Sequence, residues 1–119
     1  MSDLKLGFVE SKFADLIWEN EPIPSGQLVK LCEEELSWKK PTTYNVLRKL
    51  CEKGIFQNVH GTVSSLIARA DFYAMQGEAF LDEAFHGSLP AFIAAFTRRK
   101  SLTPQEAEEI RKMIDAFED

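Results

Sequence analysis

The spacing of apolar and polar residues predicts two amphipathic helices in the first forty positions. Ser11 can cap the first helix, and Leu4 and Phe8 would extend its apolar stripe backwards. That stripe, at i, i+3 and i+4 spacing, consists of Phe13, Leu16 and Ile17. The prolines of "NEPIPSG" end this helix, and Ser25 is a suitable N-cap for the second one. The apolar side of the second helix is formed by Leu28, Leu31, Cys32 and Leu36.

The segment that follows predicts a third helix. Lys40 precedes a proline and is therefore expected to be extended, whereas Pro41 suits the first helical position. The helix runs from about Pro41 to Lys53, and Gly54 ends it as a glycine of the left-handed cap type. Its apolar stripe consists of Leu47, Leu50 and Cys51.

After Gly54 the apolar period changes from that of a helix to that of a strand. The stretch "IFQNVHGTVSSLIA" predicts two short strands about His60-Gly61, with Val63 and Ile67 on the return strand. The order is then helix, helix, turn, helix and hairpin, which is a helix-turn-helix followed by a wing.

Three further helices are predicted beyond residue 70. Asp71 caps a fourth helix that Gly87 closes, and "SLPAFIAAFTRRK" forms a short fifth helix. The sixth begins at "TPQE", where Thr103 is the N-cap, Pro104 the first helical residue and Glu106 the partner in a capping box.

These elements give a mainly α fold with two domains. Residues 1–70 form a winged helix-turn-helix, with three helices and a short two-stranded wing, and residues 71–119 form a three-helix region. The second part has six phenylalanines, more aromatic surface than three short helices can bury alone. We therefore expect a homodimer with a twofold interface, and the alternative is that these helices fold back on residues 1–70 in a monomer. The residues expected at the dimer interface are Phe72, Met75, Phe80, Phe92, Ile93, Phe96, Ile110, Met113, Ile114 and Phe117.

Composition and charge narrow the functional classes. The chain has 119 residues, a 45% hydrophobic fraction and a net charge of −5, which suits a folded domain. No apolar run is long enough to cross a bilayer, and "MSDLKLGF" lacks the regions of a signal peptide, so we expect a soluble, cytoplasmic protein without a membrane partner. Residues 1–70 are electrically balanced, and the excess acid lies in residues 71–119.

The third helix concentrates positive charge within this acidic chain. Between Lys39 and Gly54 there are five basic residues and one acidic one. Arg48 can form two hydrogen bonds to guanine, and Asn45 can do the same to adenine. Lysines at either end can contact phosphates, whose counterion release favours binding. The residues expected to contact double-stranded DNA are Lys39, Lys40, Thr42, Thr43, Asn45, Arg48, Lys49 and Lys53.

Catalytic and metal-binding chemistry find little support in the sequence. Cys32 and Cys51 are isolated and fall on apolar helix faces, where they act as small hydrophobic side chains. His60 and His86 are far apart and have no neighbours at metal-ligand spacing. No nucleophilic triad or glycine-rich phosphate loop is present, so we expect neither an enzyme nor a cofactor.

Four stretches together resemble the penicillinase-repressor family (BlaI, MecI and CopY types) of winged-helix transcriptional repressors. They are "LIWENEPIPSGQLVKL", "SWKKPTTYNVLRKLCEKGIF", "LDEAFHGSLPAFIAAF" and "LTPQEAEEIRKMI". The resemblance implies a homodimer that binds a palindromic operator through its N-terminal winged helix and dimerises through its C-terminal helices. It places Thr43 and Arg48 on the recognition helix.

Two release mechanisms of such repressors lack their residues in this chain. In the penicillinase type an Asn-Phe bond of the fifth helix is cleaved after a membrane sensor's signal, and the matching pair here is Ala95-Phe96. In the copper type, paired CxC motifs bind metal, and this C-terminal region contains no cysteine. The candidate inducing partner is an unidentified protease or effector.

A second interpretation is a winged-helix protein–protein interaction module without DNA binding. The wing carries no Lys or Arg before Arg69, and the acidic C-terminal half could bind a basic partner. Because one fold supports several functions, the fold alone does not decide between these interpretations.

Overall fold

The computed structural model describes residues 5–117, which contain six helices and three short strands. The helices are α1 (Phe8–Asn20), α2 (Ser25–Leu36), α3 (Lys40–Glu52), α4 (Arg69–Phe85), α5 (Leu89–Arg99) and α6 (Pro104–Phe117). The strands are β1 (Ile23–Pro24), β2 (Phe56–Val59) and β3 (Thr62–Ser65). The predicted class is confirmed: the fold is mainly helical, with a winged helix followed by three C-terminal helices.

The first helix begins earlier than the predicted cap. The backbone N–H of Gly7 donates to the Glu10 carboxylate at 3.1 Å, and this contact supports a helix that starts at Phe8. Ser11 therefore lies inside α1, where its backbone N–H donates to the carbonyl of Gly7. Leu4, the other residue of the proposed extension, lies outside the described residues.

The second helix also begins earlier than predicted, in this case by one residue. Ser25 is its first residue and Pro24 is the N-cap, so Ser25 is not the capping residue. Its hydroxyl instead accepts a hydrogen bond from the Tyr44 hydroxyl at 3.0 Å, which ties α2 to α3. The helix ends where Ser37 takes a left-handed conformation (φ 57°).

The third helix has the predicted extent within one residue at each end. Lys40 is helical rather than extended, and Lys39 is the extended N-cap residue. Pro41 is tolerated one position later than expected because the first four N–H groups of a helix have no partner within it. At the other end, Gly54 has a positive φ of 84°. The backbone N–H of Gly54 donates to the carbonyl of Cys51, and the backbone N–H of Ile55 donates to the carbonyl of Leu50. This paired arrangement is the Schellman cap that the glycine predicted.

The predicted hairpin is confirmed, and it belongs to a sheet of three strands. His60 and Gly61 both have positive φ, as a two-residue turn of type I′ requires. Strands β2 and β3 pair antiparallel, and β3 also pairs with β1, a short strand that the sequence analysis did not predict. The sheet order is therefore β1-β3-β2. The extra strand joins the segment before α2 to the end of β3 that follows the hairpin turn, because Ile23 pairs with Val63 and Pro24 with Thr62.

One hydrophobic core lies between α1, α2, α3 and the sheet. Trp18 packs at its edge, where its ring lies 5.2 Å from that of Phe56 and its indole N–H donates to the carbonyl of Ile67. The buried apolar side chains are Phe13, Ala14, Ile17, Ile23, Leu28, Cys32, Leu47, Leu50, Ile55, Phe56, Val63 and Phe72.

The start of α4 belongs to this core. Phe72 is only 1% exposed and its ring lies 5.5 Å from that of Trp18. Arg69 holds the same turn against α1 through ion pairs of 3.2 Å to both Asp15 and Glu19. The assignment of Phe72 to a dimer interface is therefore wrong, because its side chain is already buried within its own chain.

The chain divides into two compact units within α4. The N-terminal unit ends at Ala79, and the C-terminal unit begins at Phe80. In the C-terminal unit, Ser88 caps α5, and Thr103 and Glu106 form the predicted capping box of α6 with two hydrogen bonds of 3.0 Å. Gly87 closes α4 with a positive φ, as predicted. From Phe80 to Phe117 no side chain is buried, although several aromatic rings contact one another.

Candidate nucleic-acid interface

The exposed face of α3 carries four of the residues expected to contact DNA. Thr42, Asn45, Arg48 and Lys49 are all exposed, while Leu47 and Leu50 on the opposite side are buried. Within residues 5–117, neither Arg48 nor Lys49 forms an ion pair. Their positive charges are therefore available to an external anion, and the Asn45 amide lies on the same face.

Two further lysines lie at the N-terminal end of α3. Lys39 is its N-cap residue and Lys40 its first residue, and both are exposed. The helix dipole adds a partial positive charge at this end. A phosphate group would find backbone N–H groups and two ammonium groups close together here.

Lys53 differs from the other basic residues of this segment. It is half-buried, and its ammonium group donates to the backbone carbonyl of Lys5 at 3.1 Å. This contact joins the end of α3 to the segment that precedes α1. Lys53 thus already has an acceptor in its own chain, and its contact with DNA stays a prediction.

Thr43 does not lie on the exposed face, and its assignment to DNA contact is corrected. Its side chain is 1% exposed because it precedes Leu47 by four residues and Leu50 by seven, which places all three on one side of the helix. Its hydroxyl has no hydrogen bond of ordinary geometry and faces the Cys32 thiol. Thr43 is therefore a core residue.

A groove separates α3 from the wing. Its volume is about 340 Å³, and it is lined by Tyr44, Leu47, Arg48, Cys51 and Asn58. Of these five, only Arg48 is among the residues that the sequence predicts to contact DNA. Tyr44 could have been found, because it precedes Arg48 by four residues on the same helix. Asn58 lies on β2, and no spacing within α3 indicates that it belongs to the same surface.

The two cysteines are both protonated more firmly than free cysteine. Burial raises the pKa of the Cys32 thiol, and a weak interaction with the Thr43 hydroxyl partly offsets this. Burial also raises the pKa of the Cys51 thiol, and the neighbouring Glu52 carboxylate raises it further. Since the thiolate is the reactive form, neither environment activates its cysteine as a nucleophile.

The wing supplies no positive charge to this surface. Between Gly54 and Ala68 there is no Lys or Arg, and the exposed tip carries His60 and Gly61. Val59 beside the tip and Leu66 after β3 are both exposed apolar residues. Contact with phosphates would therefore depend on α3 and on the lysines before it.

The C-terminal unit exposes an extensive apolar surface. Phe117 is 89% exposed and Met113 61%, whereas Phe92 and Ile110 are half-buried. Most of the predicted dimer residues are exposed. In the C-terminal unit these are Phe80, Ile93, Phe96, Met113, Ile114 and Phe117, and Met75 is an exposed predicted residue of the N-terminal unit. Apolar surface of this extent usually marks an interaction site.

Neither a metal site nor a membrane span is found between residues 5 and 117. Between residues 5 and 117, no group of three or more His, Cys, Asp and Glu side chains could hold a metal ion. Over the same range, no helix combines the length and the apolar character that a membrane span requires.

Comparison with known proteins agrees with this architecture. The family model described as penicillinase repressor matches residues 6–116, which is nearly the whole chain. The chain belongs to the penicillinase repressor family. It is also similar to the methicillin resistance regulatory protein MecI of Staphylococcus aureus strain N315, with 17% identity over 115 residues, which cover 93% of this chain and 94% of that protein. A second Staphylococcus aureus MecI sequence matches with the same identity and coverage.

Membership of the penicillinase repressor family confirms the resemblance that the four sequence stretches carried. It also supports a role in transcription regulation as a repressor, and the family is regulatory rather than enzymatic. The match spans both compact units, so the C-terminal helices belong to the family's architecture as much as the winged helix does.

Proposed function

We propose that this penicillinase-repressor-family protein binds operator DNA as a homodimer and represses transcription. In each subunit α3 enters the major groove of one half-site, and the C-terminal units of two subunits form the dimer. One observation carries the DNA-binding part: the exposed face of α3 presents Asn45, Arg48 and Lys49, with the two cations unpaired among the described residues. These groups match the base edges and phosphates of DNA, and the basic residues are concentrated on this segment of a chain whose net charge is −5.

The residues of α3 divide into two roles. Arg48 and Asn45 carry the hydrogen-bonding groups that distinguish guanine and adenine in the major groove. Lys39 and Lys40, at the N-terminal end, are suited to phosphate contacts, which position the protein without reading sequence. The net charge of −5 does not oppose this, because the acidic excess lies beyond residue 70.

The apolar surface of the C-terminal unit supports the dimer. Two winged helices joined by a twofold axis would read two half-sites of a palindrome. The second copy would cover side chains such as Phe96 and Ile114, which are exposed in one subunit. A closed dimer explains how a unit without a buried side chain remains folded.

The decisive experiment is the selection of DNA sequences bound by the purified protein, followed by titration of the selected duplex. The replacement Arg48→Ala should cost about 1–3 kcal/mol of binding free energy and relax base preference at one position in each half-site. Lys40→Ala should instead weaken binding to all sequences alike and reduce the dependence on salt. Both effects are measured by fluorescence anisotropy at several salt concentrations.

The matched control is Arg98→Ala, which removes an exposed arginine from α5 rather than α3. It should leave the affinity and the selected sequence unchanged. If Arg48→Ala retained full specific affinity, the role of Arg48 would be wrong. If the unmodified protein selected no sequence even at low salt, the DNA-binding proposal itself would fail.

A protein–protein interaction module is the second candidate function. Its support is the uncharged wing with exposed Val59 and Leu66, a surface suited to an apolar partner rather than to phosphates. The same DNA selection separates the two functions, since an interaction module would yield no enriched sequence and no binding that depends on salt.

A further inference from the structure

The wing carries an exposed amide, that of Asn58, on the side of the sheet that also holds buried core residues. Alternate residues of β2 lie on the same side of the sheet, so Asn58 shares a side with the buried Phe56. Its directly opposite residue on β3 is Val63, which is also buried. Val59 lies on the other side of the sheet and is half exposed. Asn58 therefore extends the core-facing side of the wing with an amide.

The side chain of Asn58 makes no intramolecular hydrogen bond with any part of the chain from residue 5 to residue 117. Its neighbour Gln57 differs, because the Gln57 amide donates to the Ser64 hydroxyl at 3.1 Å. Asn58 lines the groove beside α3 together with Arg48. An unpaired amide and an unpaired guanidinium thus border one groove on the candidate DNA-binding surface.

The walls of this groove limit what can occupy it. Leu47, Cys51 and the Tyr44 ring make it mainly apolar, and both a thiol and an aliphatic side chain are poor partners for a phosphate. A phosphate placed there would lose hydration without sufficient compensation. The major-groove edge of a base pair combines hydrogen-bonding atoms with the apolar thymine methyl group, and it matches such a surface better.

We propose that Asn58 is a specificity-determining residue, which reads a base adjacent to the one contacted by Arg48. This inference rests on the proposed DNA-binding function and adds a wing residue to the reading surface of α3. The amide has an NH₂ group that donates and a carbonyl oxygen that accepts, and this combination recognises adenine in the major groove. The wing then contributes to base selection although it carries no positive charge.

The test is sequence selection with the full-length protein and two replacements of Asn58. Asn58→Ala should lower affinity for the preferred duplex by about 5- to 100-fold and relax one position in each half-site. The salt dependence should be unchanged, because no charge is removed. Asn58→Asp keeps the side-chain size but only accepts hydrogen bonds, so the preferred base at that position should change towards cytosine.

The matched control is Gln57→Ala, on the opposite side of the same strand, which should leave the selected sequence unchanged. Tryptophan fluorescence of each variant establishes that the N-terminal unit is folded, since both tryptophans lie in it. A double replacement with Arg48→Ala should cost less than the sum of the two single effects, because the two side chains contact neighbouring bases.

Three results would overturn the inference. If Asn58→Ala weakened binding to all DNA sequences equally, Asn58 would contact a phosphate and not a base. If the variant selected the same sequence with the same affinity, Asn58 would not contact DNA. In both cases the unmodified protein still binds DNA, so the proposed function survives. If the unmodified protein selects no sequence, the proposed function and this inference fail together.

Discussion

The two compact units of this chain have comparable helical patterns but bury their apolar residues to different degrees. In the N-terminal unit, every helix and the sheet contribute side chains to a continuous core. In the C-terminal unit, α5 and α6 are amphipathic and well capped, yet neither has a buried residue. Amphipathic patterning thus identifies a helix but does not reveal whether its partner lies in the same chain.

The comparison also shows how similar side chains come to have different roles. Phe72 and Phe80 lie eight residues apart on α4, and the sequence predicts both to lie at the dimer interface. Phe72 is buried beside Trp18, whereas Phe80 is half exposed and contacts Phe85 and Phe92. The boundary between the units falls between them. The first phenylalanine stabilises one fold, and the second is free to support an association.

The largest expected effect separates these two roles by replacing Phe72. Phe72→Ala should lower the free energy of unfolding of the N-terminal unit by about 3–5 kcal/mol, because it leaves a cavity in a closed core. The loss should not depend on protein concentration. Denaturant titration followed by tryptophan fluorescence measures this, since Trp18 and Trp38 both lie in the N-terminal unit.

Phe96→Ala is the matched replacement in the C-terminal unit. Phe96 is exposed, so its loss should leave the tryptophan-monitored transition nearly unchanged. If the proposed dimer forms through this surface, the same replacement should raise its dissociation constant by about tenfold or more. Sedimentation equilibrium measures that constant. If Phe96→Ala destabilised the N-terminal unit as much as Phe72→Ala does, the contrast between a closed core and an open surface would not hold.

Much of the fold was predictable because its signals are local. The capping box at Thr103, the glycine cap at Gly54 and the turn at His60-Gly61 depend only on neighbouring residues, and all three are present. Strand β1 was not predicted, because a two-residue segment that includes a proline shows no alternation of apolar and polar residues. It forms only through pairing with β3, a contact between distant parts of the chain.

The candidate site was predictable on one helix but not across elements. The exposed positions of Arg48 and Lys49 follow from the buried side of α3, which the apolar residues define. Thr43 was misassigned because residue type was given more weight than its spacing to Leu47 and Leu50. Asn58 was missed because its position beside Arg48 depends on how β2 packs against α3. The apolar spacing within one helix or one strand gives no information about such packing.

A smaller effect is expected from Thr43→Val, which tests the corrected assignment. The buried hydroxyl has no well-formed hydrogen bond, so removing it should leave the free energy of unfolding unchanged or raise it by up to about 1 kcal/mol. DNA affinity should change by less than about twofold, because the exposed residues of α3 that are proposed to contact DNA stay the same. Thr42→Val, at an exposed neighbouring position, is the control and should weaken DNA binding. A large loss of DNA affinity with Thr43→Val would restore Thr43 to the interface.

The smallest effect is a difference in thiol reactivity, and it reports on the N-terminal unit alone because both cysteines lie there. Burial and Glu52 raise the pKa of Cys51, which disfavours the thiolate, so its alkylation should be slower than that of free cysteine and should accelerate only at higher pH. Cys32 is fully buried and should react only in denaturant.

Adding the selected duplex should slow modification of Cys51 further, because Cys51 lines the groove beside Arg48. Mass spectrometry of timed alkylation measures each rate, and a Cys51 rate unaffected by bound DNA would place the duplex away from this groove.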